Sequence, residues 1–156
     1  MRKYGLLGKT LNYSFSKYFF EDYFQKNKID ACFDNYEIDT IESIDGVFTQ
    51  NLSGLAVTIP YKETIIPFLD AISDEAKVIG AVNVVQFIDG QKIGHNTDAF
   101  GFHQSIKPFL TFHHERALIL GTGGAAKAVA HVFRSLGIEV IFCSRTPEGR
   151  NQFPYS

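Results

Sequence analysis

Short apolar runs alternate with longer stretches of mixed character along most of this chain. The runs from Tyr4 to Leu7, from Cys32 to Ile38 and from Leu55 to Ile59 predict three strands, the last of which is ended by Pro60. The stretch from Lys17 to Asn27 repeats its aromatic residues at roughly helical spacing and predicts a helix. Strands that alternate with helices predict an α/β fold, here with a mostly parallel sheet.

Further helices are expected in the first two thirds of the chain. Residues 40–51 predict a helix with a weak apolar face, and residues 62–69 and 74–79 predict two shorter helices. Residues 98–110 predict a longer helix, in which Asp98 would be the N-cap and Pro108 lies near the end.

A β-hairpin is the clearest local prediction. Residues 82–88 and 91–94 are apolar segments that flank Asp89-Gly90. An Asp-Gly pair between two such segments favours a two-residue hairpin turn, because both turn residues must adopt positive φ. We therefore expect two antiparallel neighbours within a sheet that is otherwise mostly parallel.

The pattern changes after a polar connection at residues 111–115. The apolar run from Ala117 to Leu120 is typical of a strand buried on both faces of a parallel sheet. A helix from Ala125 to Leu136, ended by Gly137, and a strand from Glu139 to Cys143 follow it. We place a domain boundary along the helix of residues 98–110, so that residues 1–105 form one domain and residues 106–156 begin a second.

A glycine-rich turn separates the strand and the helix of the second domain. The segment Gly121-Thr-Gly-Gly-Ala-Ala126 fits the pattern G-x-G-x-x-A directly after a strand and at the start of a helix. Glycines allow a tight turn and close approach to a pyrophosphate, and the helix start offers unpaired N–H groups. A tight turn without a ligand is the alternative, which the strand–turn–helix context disfavours. The residues expected to bind a dinucleotide in this turn are Gly121, Gly123, Gly124 and Ala125.

The residues after the next strand indicate which dinucleotide is bound. Ser144, Arg145 and Thr146 lie about 20 residues beyond the glycines, where a carboxylate usually accepts hydrogen bonds from the ribose of NAD. No carboxylate is present at these three positions, and Arg145 can pair with a 2′-phosphate and stack on adenine. These residues predict NADP as the cofactor, although in isolation Arg145 could be a solvated surface arginine.

Small polar residues are concentrated next to the apolar strands of the first domain. Ligands of open α/β sheets bind at strand ends, so such residues predict a pocket for a small polyhydroxylated acid if the strand ends converge. Each also has a structural alternative: the serines and Asp98 could cap helices, Lys62 could be solvated, and Asn83 could satisfy a buried backbone group. The residues of this predicted pocket are Ser14, Ser16, Thr58, Lys62, Asn83, Thr97 and Asp98.

Composition and charge exclude several other classes of function. The 156 residues are 45% hydrophobic with a net charge of −2, which provides for a core but no field that favours nucleic acid or an anionic membrane. Cys32 and Cys143 are far apart, the histidines lack metal-ligand spacing, and no apolar run could span a bilayer. We expect a soluble cytoplasmic protein without a metal, and leave self-association open.

The order and spacing of these motifs resemble the shikimate dehydrogenase family. The resemblance is carried by Gly5 to Ser16, Gly54-Leu-Ala-Val-Thr-Ile-Pro-Tyr-Lys62, Ile79-Gly-Ala-Val-Asn-Val84, Gly94-His-Asn-Thr-Asp-Ala-Phe-Gly101, the turn at Gly121 and Ser144-Arg-Thr146. It implies a shikimate-binding domain followed by the first part of a Rossmann-type NADP-binding domain. The implied reaction is the NADPH-dependent reduction of 3-dehydroshikimate to shikimate, in chorismate and aromatic amino-acid biosynthesis.

The resemblance also implies a role for each residue of the pocket. Ser14 and Ser16 would hold the substrate carboxylate, and Thr58, Asn83 and Asp98 would contact ring hydroxyls, with Thr97 beside them. Lys62 would be the catalytic residue, with Asp98 beside it. The sequence departs from the family pattern at Lys17, Ala56, Ala99 and Ser144, which removes none of the proposed catalytic groups. Arg150 is a candidate for a second contact to the 2′-phosphate.

Length leaves two functions open besides the complete enzyme. A full dinucleotide fold needs two mononucleotide halves, and the residues from Ser144 onward are too few for the second, so we expect a truncated domain. The chain could therefore bind shikimate without turnover. A dehydrogenase that also accepts quinate, which differs by a ring hydroxyl, is the other alternative.

Overall fold

The computed structural model describes residues 1–12, 14–148 and 151–155 and divides into two compact units. The first unit consists of Met1–Ser73 and Val82–His95, and the second of Asp74–Ala81 and the chain from Asn96 onward. The last boundary between the two units therefore falls between His95 and Asn96. This is before the helix in which we predicted the domain boundary. The division into functional domains at residues 105 and 106 stays a prediction.

A six-stranded sheet forms the centre of the first unit. Its strands are β1 (Arg2–Gly8), β2 (Ala31–Glu37), β3 (Gly54–Val57), β4 (Ala71–Ile72), β5 (Val84–Ile88) and β6 (Gln91–His95), in the order β2-β1-β3-β5-β6-β4. Neighbouring strands are parallel except where β5 pairs with β3 and with β6. The mostly parallel α/β sheet and the hairpin are therefore confirmed, and Asp89 and Gly90 have φ of 50° and 76° in the hairpin turn.

One face of this sheet is covered by α1 (Phe15–Lys26). Leu6 on β1 and Phe33 on β2 are buried beneath it, and the rings of Phe20 and Phe33 stack with centroids 4.8 Å apart. Leu7, the next residue on β1, points to the opposite face and is fully buried there. The central strand therefore has apolar residues on both faces, as its continuous apolar run requires.

Short helices occupy the other connections of the first unit. They are the 3₁₀ helix Ile41–Ser43, α2 (Asp45–Phe48), α3 (Tyr61–Thr64) and the 3₁₀ helix Ile66–Phe68. The single helices predicted for residues 40–51 and 62–69 were too long. Pro67 lacks the N–H that a continuing α-helix needs, which explains why α3 gives way to a 3₁₀ turn.

The second unit consists of helices on a three-stranded parallel sheet. The helices are α4 (Asp74–Ile79), α5 (Asp98–Ile106), the 3₁₀ helix Lys107–Phe109 and α6 (Gly124–Ser135), and the strands β7 (Arg116–Leu120), β8 (Glu139–Ser144) and β9 (Gln152–Pro154), in the order β7-β8-β9. We predicted the first two strands but not β9. The end of α6 has the bonds of a Schellman motif, in which the N–H groups of Gly137 and Ile138 donate to the carbonyls of Arg134 and Phe133.

Only one face of the three-stranded sheet is well covered among the described residues. Ile119, Val140 and Phe142 are buried against α6, whereas Leu118 and Leu120 on β7 are 62% and 70% exposed. The prediction that β7 is buried on both faces was therefore wrong for this chain, because α6 covers one side of the strand only. In the described part of the chain, no helix is both long and apolar enough to cross a membrane.

Candidate functional site

One edge of the six-stranded sheet collects the polar residues predicted for the first unit. The parallel strands β1 and β3 end at this edge, and β5 begins there because it runs antiparallel to β3. Thr58 follows β3 and Asn83 precedes β5, so both lie at the same edge. Backbone bonds fix Asn83 between two strands: its carbonyl accepts from the N–H of Val57 at 2.8 Å, and its N–H donates to the carbonyl of His95 at 3.0 Å.

The turn between β3 and α3 carries Thr58 and Lys62. The N–H of Thr58 donates to the carbonyl of Leu7 at 2.9 Å, and its carbonyl accepts from the N–H of Tyr61 at 2.9 Å. Lys62 lies in the first turn of α3, and its carbonyl accepts from the N–H of Val82 at 2.7 Å. Both side chains are partly buried. The backbone around Lys62 is thus fixed to the segment that leads into Asn83.

Tyr61 holds the same turn in place through its buried side chain. No structural or functional role was predicted for this residue. Its side chain is 4% exposed, and its hydroxyl donates to the carbonyl of Ile38 at 2.5 Å. Burial raises the pKa of the Tyr61 hydroxyl, so the group keeps its proton and remains a donor. An aromatic residue beside Lys62 was the only sequence signal for this anchor.

The loop between β1 and α1 positions Ser14. Ser14 is the N-cap residue of α1, but its side chain makes no capping hydrogen bond. Its Oγ is buried and has no hydrogen-bond partner among the described residues. The capping alternative is therefore not realised, and this hydroxyl has an unused bonding capacity that a ligand could satisfy. Ser16, in the first turn of α1, is partly buried.

Two polar residues of β2 hold that loop in place. The N–H of Leu11 donates to the Glu37 carboxylate, and the Asn35 side-chain amide donates to the Leu11 carbonyl at 3.5 Å. The Leu11 carbonyl also accepts from the N–H of Ser14 at 2.9 Å. No local pattern indicated Asn35 or Glu37. They lie 24 and 26 positions from Leu11 and meet it only after the chain has folded.

Thr97 and Asp98 lie in the second unit, at the start of α5. Thr97 is the N-cap residue and Asp98 the first residue of the helix, so the prediction that Asp98 is the N-cap was wrong. The capping side chain is that of the buried Asn96, whose Oδ1 accepts from the N–H of Ala99 at 3.2 Å while its Nδ2 donates to the carbonyl of Ala81 at 3.0 Å. Asn96 supplies the capping hydrogen bond of α5. Helix capping therefore does not explain why a carboxylate is present at position 98.

The glycine-rich turn offers backbone N–H groups and open space that could hold a pyrophosphate. Gly121 has φ of +112°, which side-chain-bearing residues rarely adopt, and its N–H donates to the carbonyl of Cys143 at 2.7 Å. The first intrahelical bond of α6 joins Lys127 to Gly123, so the N–H groups before it have no acceptor within the helix. The positions that a Cβ would take at Gly121 and Gly123 have no atom within 4 Å, which leaves room for a ligand against the backbone.

The glycine-rich turn follows β7. Because β7 and β8 are parallel, the end of β8 lies at the same edge of the three-stranded sheet as this turn. Arg145 and Thr146 are exposed there, and Ser144 is buried with a hydroxyl that has no partner among the described residues. A guanidinium with two hydroxyls, and no carboxylate at these positions, fits a phosphorylated ribose. Arg150 lies outside the described residues.

The roles predicted for individual residues are not tested by these contacts. The structure gathers Ser14, Thr58, Lys62 and Asn83 at the edge of one sheet, and the glycine turn and Arg145 at the edge of another. The assignment of Lys62 and Asp98 to one reacting centre stays a prediction. Among the described residues, no three or more His, Cys, Asp or Glu side chains are grouped so that they could hold a metal ion.

The fold and its two polar edges define the class of protein. It is an α/β chain with a glycine-rich strand–turn–helix segment in one unit and a cluster of small polar residues in the other. Residues 6–85 match the family model described as the shikimate dehydrogenase substrate binding domain. The chain belongs to the shikimate dehydrogenase family.

Named relatives agree with this family over most of the chain. The shikimate dehydrogenase (NADP(+)) of Pyrococcus abyssi is 37% identical over 148 residues, which are 94% of this chain and 56% of that protein. The crystal structure of shikimate dehydrogenase 1 from Peptoclostridium difficile is 36% identical with a TM-score of 0.91, over 99% of this chain and 61% of that one.

A third relative was solved with ligands. The shikimate 5-dehydrogenase of Thermus thermophilus, in complex with NADP(H) and shikimate, is 32% identical with a TM-score of 0.83 over 94% of this chain and 57% of that one. The chain therefore spans between about half and three fifths of the length of these three proteins.

Proposed function

We propose that this chain carries the shikimate-binding site and part of the cofactor site of an NADP-dependent shikimate dehydrogenase. The proposed reaction is the reduction of 3-dehydroshikimate to shikimate, a step in the biosynthesis of chorismate and aromatic amino acids that would take place in the cytoplasm. The observation that carries the proposal is the buried Oγ of Ser14, which has no hydrogen-bond partner within residues 1–12, 14–148 and 151–155. Ser14 lies near the sheet edge that carries Thr58, Lys62 and Asn83.

The substrate would be held by hydroxyl and amide groups. We assign the substrate carboxylate to the hydroxyls of Ser14 and Ser16, and the ring hydroxyls to Thr58, Asn83 and Asp98, with Thr97 beside them. The backbone bonds at Thr58 and Asn83 support these roles, since a site that selects by hydrogen bonding needs fixed donors and acceptors.

Lys62 would assist the chemical step. NADPH, when bound, supplies the hydride that the substrate ketone accepts. The ammonium group of Lys62 would stabilise the negative charge that develops on the ketone oxygen and deliver the proton that completes the alcohol. Asp98 would orient the lysine and bind a substrate hydroxyl. The anchors at Tyr61 and Val82 would hold the backbone of Lys62 in place for this task.

The cofactor would be NADP rather than NAD. We assign the pyrophosphate to the turn of Gly121, Gly123, Gly124 and Ala125, and the 2′-phosphate to Ser144, Arg145 and Thr146. The open space at the glycines and the absence of a carboxylate after β8 support this choice. The relative from Pyrococcus abyssi is a shikimate dehydrogenase (NADP(+)), and the one from Thermus thermophilus was solved in complex with NADP(H).

Binding of shikimate without turnover is the second candidate function. It is favoured by the family model that residues 6–85 match, which describes the substrate binding domain. A third possibility is a preference for quinate, which differs from shikimate by one ring hydroxyl. Comparing shikimate and quinate in the same assay distinguishes this preference from the two functions above.

The test is the formation of NADPH by the purified chain from shikimate and NADP. We expect Lys62→Ala to lower turnover by about 10²- to 10⁴-fold, the usual contribution of a proton-transfer group. Lys26→Ala, which removes a lysine ion-paired with Asp22 on α1, is the matched control and should leave turnover unchanged. Equal rates in both variants would exclude the role of Lys62.

If the chain shows no turnover, the melting temperature decides between the remaining functions. A rise with shikimate that exceeds the rise with quinate would support the binding function. No rise with either compound would contradict the substrate site itself.

A further inference from the structure

The helix α1 is apolar on two opposite sides. On the side that faces the six-stranded sheet, Phe20 and Phe24 pack against a core that includes Leu6 and Phe33. A helix that covers a sheet normally presents polar residues on its other side, which faces water. On α1, aromatic residues occupy much of that outer side as well.

Four aromatic side chains form this outer surface, which we call the aromatic stripe: Phe15, Tyr18, Phe19 and Tyr23. They are 72%, 74%, 46% and 47% exposed. Phe15, Phe19 and Tyr23 recur every four residues, so they lie along one side of the helix, with Tyr18 beside them. The ring centroid of Phe19 lies 5.7 Å from that of Phe15 and 6.3 Å from that of Tyr23. The stripe is therefore one continuous surface rather than four isolated side chains.

The area of the stripe is large for a surface that faces water. An aromatic side chain buries about 150–250 Å² when it is fully covered, so the exposed fractions leave about 500 Å² of aromatic surface. Patches of this size on soluble proteins are often functional. Each side of a standard protein interface buries about 800 Å², of which about 65% is apolar in homodimers. The stripe supplies about that apolar area.

The charges of α1 favour a protein partner over a membrane or a nucleic acid. The helix carries two basic and two acidic residues, Lys17, Lys26, Glu21 and Asp22, so its net charge is zero. Lys26 also forms an ion pair with Asp22 at 2.8 Å. Helices that bind anionic membranes are rich in Lys and Arg on their polar face. A second copy of this neutral helix would meet no net repulsion.

We propose that α1 is the centre of a homodimer interface, in which the aromatic stripes of two copies pack antiparallel about a two-fold axis at Phe19. A two-fold interface uses the same surface of both copies, so it must be complementary to itself. Phe15 and Tyr23 are each four residues from Phe19. Phe15 of one copy therefore lies opposite Tyr23 of the partner subunit, and the aromatic pairs add to the stabilisation from area burial.

The experiment measures the oligomeric state of the purified chain by sedimentation velocity over a concentration series. We expect twice the mass of one chain at micromolar concentrations. Phe19→Glu should weaken this association at least about 100-fold, because it buries two like charges at the axis. Circular dichroism checks that the variant is folded. A monomer across the whole series for the unchanged chain, or a dimer retained by Phe19→Glu, would overturn the proposal.

The exposed face of the three-stranded sheet supplies the matched control. Leu118 on β7 is 62% exposed, and this face is a second apolar surface through which two copies could associate. Leu118→Glu introduces the same charge there and should leave the dimer unchanged. Loss of the dimer in Leu118→Glu would place the interface on that sheet and overturn the proposal for α1.

Complementary charges test the two-fold arrangement itself. Phe19→Glu and Phe19→Lys should each be monomeric alone, and an equimolar mixture of the two should recover the dimer, because opposite charges then meet at the axis. Recovery would also show that both variants are folded. A mixture that stays monomeric would overturn the arrangement about Phe19.

A milder variant keeps the test decisive if the charged variants do not fold. Tyr18 is 74% exposed beside the axis, so Tyr18→Ser should be tolerated by the fold and weaken the dimer at least about tenfold. An unchanged dimer in Tyr18→Ser would overturn the proposal. None of these measurements uses shikimate or NADP, so failure of the proposed reaction and failure of this interface remain distinguishable.

Discussion

The six-stranded sheet of the first unit and the three-stranded sheet of the second differ in how fully they are covered. On the first sheet Leu7, Leu55 and Val85 are at most 1% exposed, whereas Leu118 and Leu120 on the second are more than 60% exposed. The two polar edges therefore rest on different packing. The edge that carries Ser14 and Lys62 is built on a closed core, while the glycine turn is built on a sheet with one covered face.

Truncation of one leucine on each sheet, buried on the first and exposed on the second, tests this comparison most strongly. Leu55→Ala should lower the free energy of unfolding by about 2–5 kcal/mol, because a fully buried side chain leaves a cavity. Leu118→Ala should change it by no more than about 0.5 kcal/mol, because that side chain is already exposed. Denaturant unfolding measures both, and similar losses would show that the two sheets are covered alike.

Loss of the arginine after β8 should separate the two polar edges functionally. Arg145→Gln should weaken NADP binding by about 10- to 100-fold, since a charged hydrogen bond contributes about 1.5–3 kcal/mol. NAD binding should change little because NAD lacks the 2′-phosphate, and shikimate binding should not change. Calorimetric titration with the three ligands provides the measurement. Equal weakening for NADP and NAD would contradict the assignment of the 2′-phosphate to Arg145.

Tyr61 tests whether the edge that carries Lys62 depends on its anchor. Tyr61→Phe removes one hydrogen bond to a partly buried carbonyl and should cost about 1 kcal/mol of unfolding free energy. It should also lower turnover or shikimate affinity, because the turn before Lys62 loses a fixed contact. The control is Tyr4→Phe, the same substitution at a tyrosine on β1 of the six-stranded sheet. Stability loss without any effect on shikimate would restrict Tyr61 to a structural role.

The smallest effect is expected at the ion pair between Lys92 and Asp70. Hydrogen bonds from the side chain and backbone N–H of Lys92 lower the pKa of the Asp70 carboxyl, so this carboxylate stabilises the fold at neutral pH. That contribution should disappear as the pH falls through the lowered pKa. Asp70→Asn should therefore reduce the melting temperature slightly at pH 7 and not in strong acid. An equal reduction at both pH values would contradict the stabilising role of the ionised Asp70 carboxylate.

Local patterns were sufficient to predict the elements whose determinants lie close together in the chain. The hairpin at Asp89-Gly90, the glycine turn and the helix that ends at Gly137 each follow from a few adjacent residues, and the structure has all three. The prediction that polar residues lie next to the apolar strands also holds for two of them, because Thr58 directly follows β3 and Asn83 directly precedes β5.

The features that were missed depend on contacts between distant residues. The strands β4 and β9 are short and gain their identity only from pairing with β6 and β8. Asn35, Glu37 and Tyr61 reach their partners across the sheet, and Asn96 takes the capping role that we had expected of Asp98. Exposure of Leu118 and Leu120 could not be predicted, because an apolar run does not show which of its faces a helix covers.

The central claim is the proposed substrate site of the first unit, in which Ser14 would bind the shikimate carboxylate. The Ser14 hydroxyl has no hydrogen-bond partner among the described residues. Calorimetric titration of shikimate into the chain and into Ser14→Ala tests it most directly, with Ser135→Ala as a control whose hydroxyl bonds within α6. We predict that Ser14→Ala weakens binding at least about tenfold without lowering the melting temperature, because that hydroxyl has no partner in the described protein to lose. Unchanged affinity in Ser14→Ala, or no binding by the chain itself, would contradict the account.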